Sequence, residues 1–151
     1  MADHIRLIPR VANHHAIAAL MRAADCGVFP ARAEAWNLPA LEMLSCGRYV
    51  IATDYSGPTQ YLDQTNAMLI TVDKLEPAAD HEWMPVYTER KIGDWAHLGD
   101  DQVEQLVAHL RAVHERKQHG ELPINQAGVA TAQRLTWTNT AETIIDGFLH
   151  L

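Results

Sequence analysis

The sequence predicts an α/β domain: a parallel sheet of about four strands flanked by helices, followed by a helical C-terminal part. Three observations carry this. Short apolar runs alternate with helical patterns of about ten residues as far as Val72, the order expected of right-handed βαβ units. The run YVIAT at 49–53 is apolar on both faces, as a strand covered from both sides must be. Beyond residue 98 the apolar spacing is helical throughout. A chain of 151 residues is expected to form one domain with one core. Within it, residues 1–72 form the βα core, 73–98 an excursion and 99–151 the terminal helices.

The elements follow in order. IRLIP at 5–9 reads as a strand stopped by Pro9, and residues 14–24 as an amphipathic helix with Asn13 as N-cap. CGVF at 26–29 is the next strand, ended by Pro30. After the loop ARAEAWN, Leu38, Leu41 and Leu44 recur at helical spacing, with Asn37 or Leu38 as cap, Pro39 in the first turn and Gly47 at the stop. YVIAT, a short helix at PTQYL and a fourth strand at 67–72 complete the core. Residues 73–98 hold Trp83, Trp95 and no sustained period. They read as a surface excursion pinned by the two tryptophans, or partly a hairpin. Asp101 and Glu104 suggest a capping box for a helix whose stripe is Val103, Leu106, Val107, Leu110 and Val113. Pro123 is placed to open a second helix with Gly128 as a weak point inside it. Trp137, Ala141, Ile144, Ile145, Phe148 and Leu149 mark a strongly amphipathic last helix.

Composition narrows the function. The content is 48% hydrophobic and 21% charged, with no run near the ~20 apolar residues of a membrane span, and the opening MADHIRLIPR lacks a signal-peptide core. A cytoplasmic protein is expected. A net charge of -7 argues against a nucleic-acid binder, so a small anion would have to be held locally, by a helix N-terminus and an arginine or two. Cys26 and Cys46 have no CxxC partner and read as buried free thiols. His114 and His119 lack the spacing of a metal pair, and no metal is expected.

Chemistry concentrates between residues 30 and 47. Glu34 and Glu42, with seven residues between them, bracket a strand-to-helix turn, and ligands of parallel sheets bind at the carboxyl ends of the strands. Backbone N–H groups at the start of that helix suit a phosphate, and a carboxylate at Glu42 suits a vicinal diol such as a ribose. Spacing alone leaves open a solvated, dipole-favoured pair of glutamates. Arg32 could touch a phosphate or pair with a neighbouring carboxylate, Trp36 could wall a pocket or fill core, and Arg48 reads as solvated.

The run ADCGVFPARAEAWNLPALEMLSCGRYVIATDYSG resembles the signature of retaining glycosyltransferases with two Rossmann-like domains, the GT-B fold, in the large group that includes glycogen synthases and many mannosyl- and glucosyltransferases. The matching residues are Ala24, Asp25, Pro30, Glu34, Trp36, Leu38, Glu42, Cys46, Gly47 and Val50 to Thr53, and RLTWTNTAETI is similar to the helix that closes such chains. The resemblance implies a partial, Rossmann-like C-terminal domain that binds a nucleotide diphosphate sugar, with no metal or other cofactor. It implies that Glu34 faces the transferred sugar as the catalytic carboxylate, that Glu42 binds the ribose, and that the amides around Trp36, Asn37 and Leu38 line sugar and diphosphate, with Arg32 nearby. Such enzymes retain configuration by front-side attack, the leaving phosphate taking the acceptor's proton, so stabilising the diphosphate is the main catalytic effect. Ala35 stands where the group usually has Gly, and Gln60 where a Glu is common.

By the same resemblance IRLIP corresponds to the third of six strands. The first two strands, their basic diphosphate-binding residues and the acceptor domain are therefore expected to be absent, and the chain alone is expected not to turn over. A sheet in the order 3-2-1-4-5-6 would then have a hole. It would close by IRLIP pairing with CGVF, or by a second copy, giving a homodimer. A non-catalytic binding or assembly module derived from the same fold is the alternative reading.

Overall fold

A computed structural model describes residues 4–78 and 93–149. Helix α1 (His14–Ala23) leads into β1 (Cys26–Phe29), then α2 (Leu38–Ser45), β2 (Tyr49–Thr53), a 3₁₀ turn (Gly57–Gln60) and β3 (Met68–Ile70). β4 (Leu75–Pro77) and β5 (Asp94–Ala96) precede α3 (Asp100–Gln118), α4 (Gln126–Arg134) and α5 (Trp137–Leu149). The domain is α/β, with parallel strands in the order β1-β2-β3.

β2 explains the layering. Side chains alternate across a strand, so Val50 and Ala52 face one side and Ile51 the other. Val50 and Ala52 join Ala40, Met43, Leu44, Tyr61 and Leu62 in the larger core beneath α2, whereas Ile51 packs with Ile70 and Val113 of α3. Helices thus cover both faces, and the central strand is buried from Val50 to Thr53.

The sheet has three strands because residues 5–9 form none. Ile5, Leu7 and Ile8 are 74%, 94% and 56% exposed. An apolar run becomes a strand only when a ladder partner satisfies its backbone, and β1 does not supply one here. The first route of closing the sheet, IRLIP pairing with CGVF, is therefore not taken.

The helix starts shift for a common reason, the needs of a buried amide. α3 begins at Asp100, not at an Asp101 cap, because buried Gln102 accepts from Gly99 N at 3.0 Å and donates to Thr71 O and Asp73 Oδ1. α4 begins after Asn125 and not at Pro123. The Asn125 Oδ1 accepts from Gly128 N at 2.9 Å, and its Nδ2 donates to Asn66 O at 2.8 Å. Gly128 is a point of contact and not a weak point: a Cβ there would lie 2.7 Å from Leu44 Cδ2.

The α3 stripe is covered only in part. Val113 is buried and Leu106 packs beside it, but Val103 (56%), Val107 (37%) and Leu110 (40%) are exposed. A 19-residue helix is longer than strands of three to five residues can cover. α5 buries no residue at all among those described. The excursion is partly an antiparallel pair, β4 with β5, with Trp95 opposite Glu76; Trp83 lies outside the described residues. Cys26 and Cys46 are free and half-buried, and burial, then the Asp25 charge, pushes the Cys26 thiol up from its ordinary pKa. Arg48 is not solvated as expected: it is half-buried, and its Nε has no hydrogen-bond partner among the described residues.

Candidate functional site

Parallel pairing of β1 with β2 puts their carboxyl ends side by side, so residues 30–37 and 54–60 leave the sheet at one edge. Two hydrogen bonds join these segments: Glu34 N donates to Ser56 Oγ at 2.9 Å, and Gly57 N donates back to Glu34 O at 3.0 Å. The approach admits only glycine, since a Cβ on Gly57 would lie 1.7 Å from Ala35 O. The Glu34 loop is therefore held by the turn that follows β2.

Asn37 sets the entry to α2. Its φ of 58° and ψ of 64° lie in the left-handed region, which Asn tolerates better than most residues, and its Oδ1 accepts from Ala40 N at 3.2 Å. Pro39 has no N–H to leave open. The N–H groups of Trp36, Asn37 and Leu38 meet no protein acceptor among the described residues.

Tyr61 closes this turn from below. Its hydroxyl lies 2.8 Å from Trp36 O and 2.9 Å from Asn37 O, and its ring centroid is 5.2 Å from that of Trp36. Burial, and secondarily the Glu34 charge, pushes its pKa up to about 12, so the phenol stays a donor across the neutral range.

Trp36, Leu38, Leu41 and Glu42 form one wall of a mostly apolar groove of about 630 Å³, whose other wall includes Leu135, Thr136 and Trp137. That volume suits a small organic ligand. Glu42 is exposed, on the second turn of α2, and also borders a space of about 140 Å³ against His14, Ile17 and Met21 of α1. The structure thus gathers Trp36, Leu38 and Glu42 around one groove. Asn37 is buried at its back, and Trp36 both walls the groove and touches the core.

Glu34 and Arg32 stand apart from that lining, on the loop. Of the two readings left open for Arg32, the structure shows the ion pair. Its guanidinium meets the Glu76 carboxylate, sits 4.6 Å over the Trp95 ring, and donates from Nε to Ala96 O at 3.4 Å. Ala96 N donates to Arg32 O at 2.8 Å, and Tyr55 donates its hydroxyl to Asp94 O at 2.8 Å. β5 therefore braces both segments at this edge, 30–37 through Arg32 and 54–60 through Tyr55. No group of three or more His, Cys, Asp or Glu able to hold a metal occurs among the described residues.

Ser56, Gly57 and Tyr61 are the residues that sequence reasoning left without a role. The signal for the first two was available, because a Ser-Gly break just after a parallel strand must emerge at the same edge as the Glu34 loop. Tyr61 carried no such signal, since an aromatic in a short helix reads as core.

The family model for "Glycosyl transferases group 1" matches residues 1–81. Among curated proteins, a D-inositol 3-phosphate glycosyltransferase of Jonesia denitrificans is 30% identical over 141 residues, covering 93% of this chain and 26% of that protein. Proteins of the same name from Segniliparus rotundus and Mycobacteroides abscessus are 30% and 25% identical over 149 residues. The chain spans about a quarter (26%) of the length of these relatives. No solved structure matches. No helix among the described residues is long and apolar enough to cross a membrane.

Proposed function

This chain belongs to the group 1 glycosyltransferases, and from that membership we propose that the turn between β1 and α2 is the nucleotide-sugar site of a retaining, GT-B-type hexosyl transfer. The observation that carries the reading is the juxtaposition of an exposed carboxylate, Glu42, with a groove of ligand size and three open backbone donors at Trp36, Asn37 and Leu38. In this reading Glu42 takes the ribose diol, the amides take the diphosphate, and Glu34 faces the transferred sugar. The bond from the anomeric carbon to the diphosphate breaks as the acceptor oxygen attacks from the same face, and the acceptor's proton goes to the leaving phosphate. The residues present serve donor binding. With Arg32 engaged by Glu76, the diphosphate has no cationic clamp among the described residues of this turn, and in this reading turnover requires an acceptor domain.

Calorimetry with UDP- and GDP-linked sugars tests this. Binding is expected in the high micromolar range or weaker, because two missing charge-assisted contacts at about 1.5–3 kcal/mol each cost roughly a hundredfold or more. Binding should be lost in Glu42→Ala. Tight binding that survives this substitution overturns the site, and turnover by the chain alone overturns its dependence on a second domain. A second reading, a non-catalytic assembly module working as a cytoplasmic homodimer, is favoured by the exposed apolar face of α5, where Trp137 is 83% and Phe148 74% exposed.

A further inference from the structure

Tyr61 does more at this turn than fill space. A peptide unit is planar and trans, so its N–H points opposite to its C=O. Trp36 C=O shares a plane with Asn37 N–H, and Asn37 C=O shares one with Leu38 N–H. Both carbonyls converge on a single buried hydroxyl, at 2.8 and 2.9 Å, and the Asn37 carbonyl also accepts from Ala40 N at 3.1 Å and Leu41 N at 3.4 Å at the start of α2. Both amides therefore point away from the hydroxyl, the Asn37 amide through the Tyr61 contact and the Leu38 amide through that contact and the helix start together. The left-handed Asn37 between them lets two successive peptides share this orientation, the arrangement by which backbone N–H groups form an anion-binding concavity.

That backbone state is disfavoured for an L-residue, though less so for Asn than for most. The Tyr61 hydroxyl and the Asn37 side-chain bond to Ala40 N offset the cost. We propose that Tyr61 is a positioning residue of the donor site, its hydroxyl holding the Trp36–Asn37–Leu38 turn so that the Asn37 and Leu38 amides are presented to the diphosphate of a nucleotide sugar. This rests on the donor-site reading above. It adds a distinct requirement, that a residue out of reach of the ligand governs phosphate recognition and leaves ribose recognition alone.

The test is Tyr61→Phe, which keeps the ring against Trp36 and the core and removes only the hydroxyl. UDP and GDP, each beside its nucleoside, are titrated by calorimetry and by amide NMR. The variant should bind the diphosphates about tenfold more weakly, with uridine and guanosine unchanged, because the latter depend on Glu42. Asn37→Val, which disfavours the left-handed backbone while keeping Tyr61, should reproduce the same selective loss and covers the case in which Tyr61→Phe does not fold. Equal weakening of diphosphate and nucleoside, or no change in either, overturns the positioning role while the donor site stands. A wild-type chain that binds neither diphosphate overturns the donor site and this role together. In the ligand-free variant the Asn37 and Leu38 amide resonances should move while those of β3 stay; unmoved resonances also overturn the role.

Discussion

Helices α2 and α5 carry the same kind of sequence signal and meet opposite fates. Each has apolar residues at three- and four-residue spacing, and α5 has the longer stripe. Yet α2 buries Ala40, Met43 and Leu44, while on α5 Ile144, Ile145 and Phe148 stay 53%, 56% and 74% exposed. Periodicity announces a face that gains from being covered; only the opposing surface decides whether it is. α2 lies on β2 and against α4, and those contacts hold the groove wall that carries Glu42. The free energy of this domain is therefore concentrated around the turn, and α5 contributes little of it. Leu44→Ala sharpens the contrast most. Leu44 is fully buried and touches Gly128, so truncation should cost about 2–5 kcal/mol in chemical denaturation. Phe148→Ser on α5 should cost under about 0.5 kcal/mol in the monomer and shift light scattering toward monomer if α5 serves self-association. A comparable loss at both positions would mean that α5 is covered in solution.

One substitution should change sign between the two regions. Gly57→Ala places a methyl 1.7 Å from Ala35 O, a backbone atom that cannot step aside without moving Glu34. It should destabilise by about 1–3 kcal/mol and weaken donor binding together with stability. Gly147→Ala in α5 meets nothing within 4 Å and removes a glycine from a helix interior, so it should stabilise by up to about 1 kcal/mol. Thermal melts of the two variants check the pair. If both destabilise, the space around Gly147 is occupied in solution.

The sequence was most legible where local pattern and tertiary context agree. β1 and β2 fall at the expected residues, and Asn13 caps α1 through Ala16 N at 2.9 Å, because strand patterning between two helical layers and a side-chain cap are both local statements. It was least legible where the deciding partner is remote. The start of α3 was set by Gln102 reaching Thr71 and Asp73, and the start of α4 by Asn125 reaching Asn66. The missing strand at residues 5–9 follows the same logic, since its pattern names a preference and its neighbours refuse it. In the candidate site, Glu42, Trp36 and Leu38 were named from spacing and resemblance. The wiring beneath them was not, because the Ser56 and Tyr61 hydroxyls bond main-chain atoms of a loop more than twenty residues away in sequence, and Tyr61 leaves no pattern that names that partner.

The smallest expected effect lies just beyond Tyr61, where the turn leading into β3 joins the wired region to solvent. Asp63 accepts from Thr65 N at 2.7 Å and from the Thr65 hydroxyl. The Thr65 side-chain bond, then its backbone N–H, holds the Asp63 carboxyl below its ordinary pKa of 3.8. A depressed folded-state value means that the folded state prefers the ionised form. The contribution is thus present at pH above the unfolded value of about 4 and fades as pH falls through the lower folded value. Because Asp63 is exposed, water screens the interaction, and its worth is a few tenths of a kcal/mol, about 0.3. Asp63→Asn should therefore lower stability by about that much at pH 7 and flatten the pH dependence below about pH 4. Buried Asn66, three residues on, donates to Tyr61 O at 2.8 Å and to Thr131 Oγ1 at 3.0 Å through bonds that do not titrate in that range. Denaturation midpoints of Asp63→Asn and wild type across this range check the sign, and a variant that gains stability at neutral pH would show that the Thr65 bonds are not formed in solution.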